Sequence, residues 1–209
     1  PYGGRGSFID VSSPADIIIA GADKPKLTKE EAAKTIVLKS SRLSSWGAES
    51  LLVGGIRSAG EAGTVVTVNT GNLTVDNEGS VLSGPEIILA ADKTLTVAEG
   101  ARIEQSGSLT DHADALTIDG NGTLLRVSSD PSAAFARINV TDAKDVKMTI
   151  GEGALIAGNS LTLDSSYATS LSPKAVLRGQ AVNLSSGQIS LRLDDSGDLQ
   201  PTDGLVLAG

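Results

Sequence analysis

The single histidine of this chain lies in a polar run that could position a general base. His112 is flanked by Asp111 and Asp114 within Ser108–Asp114. A carboxylate beside an imidazole can orient the ring for proton transfer. The alternative is a solvated histidine in a turn. With one histidine and no cysteine, the chain also has few ligands for a transition metal. Nothing else in the sequence converges on His112, so we predict no catalytic residue.

Acidic residues cluster near the end of the chain at Asp194, Asp195 and Asp198. Neighbouring carboxylates can bind Ca²⁺ through their oxygen atoms. This spacing fits neither an EF-hand loop nor the glycine-rich nonapeptide repeat, which favours a hydrated turn. Asp119-Gly120-Asn121-Gly122 is interpreted in the same way, as a tight turn. The sequence therefore predicts no metal site and no cofactor.

A polysaccharide-cleaving site would need paired carboxylates, or a cation with a strong base, on one surface. Asp164 ends an apolar run without a second carboxylate close to it in sequence. The arginines also stand singly: Arg126, Arg137, Arg178 and Arg192. Stacking of distant segments could still bring such residues together. A polysaccharide-processing enzyme therefore stays an alternative.

Short runs of alternating apolar residues indicate the strands that would carry these side chains. Leu73–Val75, Leu95–Val97 and Leu161–Leu163 are examples. Such runs are about 3–5 residues long and end at Gly, Asn, Asp or Ser, which favour turns. Strands this short cannot bury a face in an isolated hairpin. We therefore expect them to stack in register with strands from other parts of the chain.

One apolar pattern with a central glycine occurs three times, at Val81–Leu89, Leu155–Leu163 and Val176–Leu184. The last two copies begin 21 residues apart. A fixed period of about 20 residues built from short strands predicts a solenoid in which each coil covers the next. The residues expected to be mostly buried, with equivalents stacked, are Leu82, Leu89, Leu155, Ile156, Leu163, Leu177 and Leu184.

Two segments break the periodic pattern. In Lys24–Lys39, Thr28 and Glu31 have capping-box spacing and Glu30 precedes Lys34 by four residues. These pairs predict a short helix near 28–34, the alternative being a charged loop outside the coil. The segment at about 128–136 is expected to protrude as a surface loop. If the chain contacts a partner directly, we expect 24–34 and 128–134 to make that contact.

Composition restricts the partners. The net charge of −8 argues against binding to a nucleic-acid backbone or to anionic lipid. Aromatic residues make up only 2% of the chain, which suits a narrow interior filled by aliphatic side chains. No stretch approaches the roughly 18 apolar residues of a membrane-spanning helix. The chain begins at Pro1 and ends within the pattern at Gly204–Gly209, which favours a segment of a larger protein.

The chain resembles the filamentous haemagglutinin-like exoproteins of Gram-negative bacteria. Four segments carry the resemblance: Gly47–Gly55, Leu73–Leu89, Asn121–Asp130 and Leu161–Leu191. It implies a right-handed parallel β-helix shaft, secretion of the parent protein through an outer-membrane two-partner transporter, and a role in adhesion. The family's secretion domain, with its Asn-Pro-Asn-Gly-type motifs, has no counterpart here, so the chain resembles the interior of the shaft.

We therefore expect residues 1–209 to form one all-β segment, a right-handed parallel β-helix with about 21 residues per coil and parallel pairing throughout. Its excursions would lie at about 24–39 and 128–136, and the chain would make about 9–10 coils.

The expected function is a structural shaft in a secreted or cell-surface adhesin that attaches to a host cell, a neighbouring cell or a biofilm matrix through a glycan or protein. The alternatives are a β-helical polysaccharide-processing enzyme, the stalk of a contact-dependent toxin, and a filament or matrix component that self-associates end to end.

Overall fold

The computed structural model describes residues 7–23, 25–60, 63–191 and 206–208. They form a mostly β structure with two short helices, α1 (Lys29–Ala32) and α2 (Ser40–Ser45). The strands are β1 (Phe8–Val11), β2 (Asp16–Ala20), β3 (Thr35–Lys39), β4 (Ser50–Val53), β5 (Gly55–Gly60), β6 (Gly63–Val68), β7 (Asn72–Asp76), β8 (Val81–Gly84), β9 (Glu86–Ala91), β10 (Thr94–Val97), β11 (Arg102–Gln105), β12 (Leu116–Asp119), β13 (Thr123–Ser128), β14 (Phe135–Ile138), β15 (Lys147–Ile150), β16 (Leu155–Ala157), β17 (Ser160–Leu171), β18 (Val176–Arg178), β19 (Ala181–Leu191) and β20 (Val206–Ala208).

The largest sheet has eleven strands and curls at β17. The first half of β17 pairs with β13, and its second half pairs with β15. Between these halves the register with β19 shifts, between Ser165 and Ala168. An irregularity of this kind bends a strand. The strand order is β1-β4-β9-β13-β17-β15-β10-β7-β2-β3, with β19 also paired to β17.

Seven strands of this sheet are consecutive parallel neighbours, in the order β3, β2, β7, β10, β15, β17 and β19. Leu73 lies beside Leu95, and Leu95 beside Met148. Polar residues also align, since the Asn72 amide donates to Asp16 at 3.0 Å and accepts from the Thr94 hydroxyl at 2.7 Å. Six steps of about 4.8 Å give a stack about 29 Å long.

This parallel stack is shorter than the nine or ten coils expected from length alone. Thr94 of β10 pairs with Lys147 of β15, 53 residues further along the chain. Much of the intervening chain forms β12, β13 and β14 instead of another parallel layer. The expected number of coils is therefore wrong, because part of the chain builds a second layer.

A five-stranded parallel sheet of β8, β11, β16, β18 and β20 closes the apolar interior. Leu82, Ile103, Ile156 and Leu177 stack in register on this sheet, and each has no exposed surface. Their side chains join one cluster that also receives residues from both halves of the curled sheet. The repeated apolar positions therefore meet in a common core.

Five of the seven predicted core residues are buried: Leu82, Leu89, Ile156, Leu163 and Leu177. Leu155 is only half-buried, because side chains alternate along a strand and its neighbour Ile156 points inward. Leu184 is also half-buried and packs at the margin of the core on β19, the last described strand of its sheet. The predicted stacking of equivalents is confirmed, since Leu163 pairs with Leu184 and Ile156 with Leu177.

The expectation of parallel pairing throughout is wrong at two places. β13 runs antiparallel to both β9 and β17, and β5 runs antiparallel to β6. The reversal into β13 passes through Gly120 and Gly122, both at positive φ. A side chain at Gly122 would place its Cβ 2.8 Å from the Ala91 carbonyl oxygen. Glycine there allows β13 to lie beside β9 in the reversed direction.

A four-stranded sheet, β14-β12-β6-β5, forms a second layer over the outer side of β4, β9 and β13. A separate apolar cluster fills the space between the layers, and it includes Leu52, Val66, Ile88, Ile118 and Leu124. Every residue of β9 and β13 is therefore buried. Burial on both faces explains why Ile87–Ala91 reads as a continuous apolar run rather than an alternating one.

The predicted short helix is confirmed as α1. The Thr28 backbone N–H donates to Glu31 at 2.8 Å, the Glu31 N–H donates to the Thr28 hydroxyl at 3.3 Å, and Lys34 lies 2.9 Å from Glu30. The excursion is shorter than expected, because Thr35–Lys39 forms β3 and pairs in parallel with β2. Lys24 lies outside the described residues.

The segment expected as an excursion at 128–136 is a short loop over 129–134, in which Pro131, Ser132 and Ala134 are exposed. Ser128 ends β13, and Ser128, Asp130 and Ala133 are buried. Phe135 begins β14, which packs in the second layer. The loop is held down because the Asp130 carboxylate accepts the backbone N–H groups of Ala113 and Ser132.

Candidate functional site

A groove of about 620 Å³ opens where the second layer ends at β14. Its floor is the outward side of β17 and β19, which carries Asp164, Asn183 and Ser185. Phe135 and Arg137 of β14 line its wall. The groove therefore lies between the edge of one layer and the surface of the other.

The outward side of the curled sheet changes character at this groove. Ala90, Leu124, Asp164 and Ser185 occupy one row across β9, β13, β17 and β19. The first two belong to the apolar cluster under the second layer. The last two are polar and line the groove. The outward surface of the curled sheet is therefore apolar under the second layer and polar beyond the edge of that layer.

Arg137 and Asp164 form a buried ion pair at the back of the groove. The Arg137 Nε donates to Asp164 Oδ2 at 2.6 Å, and its Nη1 donates to the Gly120 carbonyl at 2.9 Å. Their side chains are 5% and 3% exposed. The guanidinium also lies over the Phe135 ring, 5.7 Å from its centre. The arrangement holds the Arg137 guanidinium and the Asp164 carboxylate side by side.

Burial affects the ionisation of Asp164 in this pair. Burial raises the pKa of Asp164, and Arg137 and the Ser185 hydroxyl offset part of that rise. Ionised Asp164 is therefore disfavoured in the folded chain even with Arg137 beside it, so this carboxyl group opposes folding once the pH rises above its ordinary pKa. The Arg137 Nη2 is buried and has no hydrogen-bond partner. A buried guanidinium nitrogen without a partner is unusual in a folded protein.

A second buried ion pair lies deeper between the layers. Arg126 donates to Glu86 Oε1 from Nε at 2.9 Å and from Nη2 at 2.7 Å. Its remaining contacts are the Ala134 and Asp114 carbonyls, each at 2.8 Å. The Ser50 hydroxyl donates to Glu86 Oε2 at 2.5 Å. Arg126 is 1% exposed, so this pair joins the layers and is closed to a substrate.

Arg57 extends that network toward the surface. Its Nη2 donates to Ser50 Oγ at 2.7 Å, and its Nη1 donates to Asp10 Oδ1 at 2.5 Å. Burial lowers the pKa of Arg57, and Asp10 and Glu86 partly counteract this. Opposite charges thus alternate along the interface between the layers.

His112 contacts a different carboxylate from the two that flank it in sequence. Its Nδ1 lies 3.1 Å from Asp130 Oδ2, and its side chain is 93% exposed. The hydroxyl and backbone N–H of Ser132 hold the pKa of Asp130 well below its ordinary value, and Ala113 and His112 add to this. The stability that Asp130 contributes is therefore present near neutral pH and lost on acidification below about pH 4. A solvated histidine beside a structural aspartate matches the alternative given for His112.

The acidic clusters provide no metal site within the described part of the chain. Asp194, Asp195 and Asp198 lie outside the described residues, as does Arg192. Among the residues that are described, no three acidic or histidine side chains converge on a point. Asp119–Gly122 is a turn between β12 and β13, and its side chains bond to Asn139 and Thr141 of the neighbouring turn.

Comparison with known proteins leaves the family open. No protein-family model, curated protein or solved structure matches this chain. Neither of the two described helices has the length and apolar character needed to cross a bilayer.

The sequence analysis singled out Asp164, Arg126 and Arg137 but did not pair Arg137 with Asp164, and it did not single out Glu86, the partner of Arg126. Glu86 lies 40 residues from Arg126, and Arg137 lies 27 residues from Asp164. A usable signal was the position of Arg126 inside the apolar run Leu124–Val127. A charge inside a buried strand requires a partner of opposite sign.

Proposed function

We propose that this chain is a shaft segment of a secreted or cell-surface bacterial adhesin, and that its stacked strands form a right-handed parallel β-helix. The observation that carries the proposal is the register of equivalent residues. Leu155–Ala157 pairs with Val176–Arg178, and Leu163 pairs with Leu184, both at the 21-residue period of the sequence. A repeat that covers its successor suits an extended rod.

The candidate sites support a structural role over an enzyme. Arg126 and Glu86 are closed between the layers, and the groove holds one carboxylate, Asp164, paired with Arg137. Hydrolysis of a glycosidic bond by the common routes uses two carboxylates flanking the bond. The resemblance to filamentous haemagglutinin-like exoproteins adds adhesion and two-partner secretion to the proposal.

The coil repeat is tested by duplication. A second copy of residues 155–175 inserted after Ala175 should fold, because its strands can pair at the same 21-residue offset as β16 with β18. We expect unchanged or higher stability, and a denaturant m-value about a tenth larger from the added buried surface. Circular dichroism and urea unfolding measure both.

The matched control duplicates residues 155–165 alone. This insertion shifts the following strands out of phase, so their inward side chains no longer meet the core. A clear loss of stability is expected for the control. Equal stability of the two insertions would contradict a coil of fixed period.

Adhesion and the absence of catalysis are tested together. Beads coated with the chain should attach to epithelial or bacterial cells, and beads carrying His112→Ala should attach equally, because His112 is a solvated side chain. We also expect equal folding of the two proteins and no release of sugar from polysaccharides. Failure of both beads to attach would contradict a direct adhesive role for this segment. Polysaccharide turnover that His112→Ala abolishes would favour the enzyme alternative.

A further inference from the structure

The parallel sheet that closes the apolar interior ends at β8, and α2 covers that end. Among the described residues, β8 pairs with β11 on one side and with no strand on the other. An unpaired strand edge exposes N–H and C=O groups that can pair with another chain. Here α2 packs against β8 instead. The end of this sheet is therefore occupied by a helix.

One side chain of α2 takes the hydrogen-bonding position of a neighbouring strand. The Ser83 backbone N–H donates to the Ser44 hydroxyl at 2.9 Å. That hydroxyl shares its own proton between the carbonyls of Ser40 at 3.0 Å and Val81 at 3.4 Å. In a parallel sheet, the N–H of Ser83 and the C=O of Val81 would bond to one residue of the next strand. The Ser44 hydroxyl therefore replaces that residue at the edge of β8.

α2 also closes the apolar interior at this end. Leu43 is 2% exposed and belongs to the same core cluster as Leu82 of β8. The other side of α2 is polar, with Ser41, Arg42 and Ser45 exposed. A solenoid needs a terminal unit with a polar outer face where its stack ends. The two sides of α2 meet this requirement.

Two further strand edges lie beside α2. β3 ends at Lys39, directly before α2, and β1 pairs with β4, which follows α2 in the chain. Both strands are short and each carries a charged residue, Asp10 on β1 and Lys39 on β3, which disfavours pairing with another strand. A coil added to β3 would also have to continue across the outer side of α2. A helix surface there offers no strand edge.

We propose that α2 is an end cap of the stack, so that further coils can be added beyond β19 and not beyond β8. This direction of growth rests on the proposed shaft, whereas the sealing of the β8 edge can be measured without it. The cap also argues against a filament that self-associates end to end, because a head-to-tail contact needs complementary surfaces at both ends of each copy.

The seal is tested by amide hydrogen exchange, measured by NMR on the purified 209-residue chain. Ser44→Ala removes the acceptor of the Ser83 N–H, so this amide should exchange at least about tenfold faster than in the unaltered chain. Ser44→Thr keeps a hydroxyl and is the matched control, with exchange close to that of the unaltered chain. Equal exchange of the Ser83 amide in the two variants would overturn the proposal.

The consequence for assembly is tested by replacing Ser40–Ser45 with Gly-Ser-Gly-Ser-Gly-Ser. Light scattering after gel filtration should show larger assemblies than for the unaltered chain, because the β8 edge is then free to pair. Adding Ser83→Pro should reverse this, since proline removes the N–H that faces the open edge and its ring blocks pairing. Circular dichroism checks that both variants fold, and the exchange test above does not depend on them.

The matched control replaces Lys29–Ala32 of α1 with Gly-Ser-Gly-Ser, because no residue of α1 is buried. Its assembly state should equal that of the unaltered chain. A folded α2 replacement that assembles no further, assembly that persists with Ser83→Pro, or equal assembly of the α1 and α2 replacements would each overturn the proposal. None of these outcomes affects the duplication test of the shaft, which probes β16 and β18, so the two failures are distinguishable.

Discussion

Replacing Arg126 by methionine should destabilise the fold by about 3–5 kcal/mol, because it leaves the Glu86 carboxylate buried without its partner. Arg126 supplies two hydrogen bonds to Glu86 and one each to the Ala134 and Asp114 carbonyls. Methionine retains much of the apolar stem but none of these donors. Urea unfolding followed by circular dichroism measures the change in free energy.

Arg178→Met is the matched control for this loss of charge. Arg178 is exposed on β18, so its replacement should change stability by no more than about 0.5 kcal/mol. The double variant Glu86→Leu with Arg126→Met should be less destabilised than Arg126→Met alone, because it removes the unpaired charge. Equal effects of Arg126→Met and Arg178→Met would contradict the role assigned to the buried pair.

Leu163→Ala should destabilise the fold by about 2–5 kcal/mol through lost burial and the cavity that remains. Leu163 has no exposed surface and lies in register between Leu125 of β13 and Leu184 of β19. It belongs to the interior cluster shared by the sheets. The free energy of unfolding, measured as for Arg126→Met, should fall accordingly.

Ile138→Ala provides the control for side-chain size. Ile138 is 46% exposed on β14, so truncation should cost less than about 1 kcal/mol. If Leu163→Ala were no more damaging than Ile138→Ala, the inward orientation of Leu163 and the stacking register built on it would be wrong.

The two ion pairs explain how the second layer is attached. The apolar residues Leu52, Ile88 and Leu124 supply most of the contact between the layers. Arg126–Glu86 and Arg137–Asp164 lie on this side of the curled sheet, and each bonds to a carbonyl near the second layer. Directional contacts of this kind can fix the position of one layer on another, whereas apolar burial alone is non-directional. The groove forms where the last such pair meets the end of the covering sheet.

The sequence by itself determined the local and periodic features. The capping box at Thr28 and Glu31 acts over three residues, and α1 forms where it predicts a helix. The 21-residue period placed Ile156 against Leu177, because identical side-chain patterns satisfy one another when strands stack. All-β structure followed from the alternation of short apolar runs.

Only the tertiary structure decided the second layer, the antiparallel course of β13 and the partners of the single charges. Whether a strand runs parallel or antiparallel to its neighbours depends on where the preceding turn places it in the sheet. The turn at Gly120 and Gly122 does not by itself select β9 and β17 as the neighbours of β13. The pairs Arg126–Glu86 and Arg137–Asp164 join residues 40 and 27 positions apart, with no repeat that relates them. A periodic pattern specifies contacts between equivalent residues, whereas unique contacts arise from the packing of the whole chain.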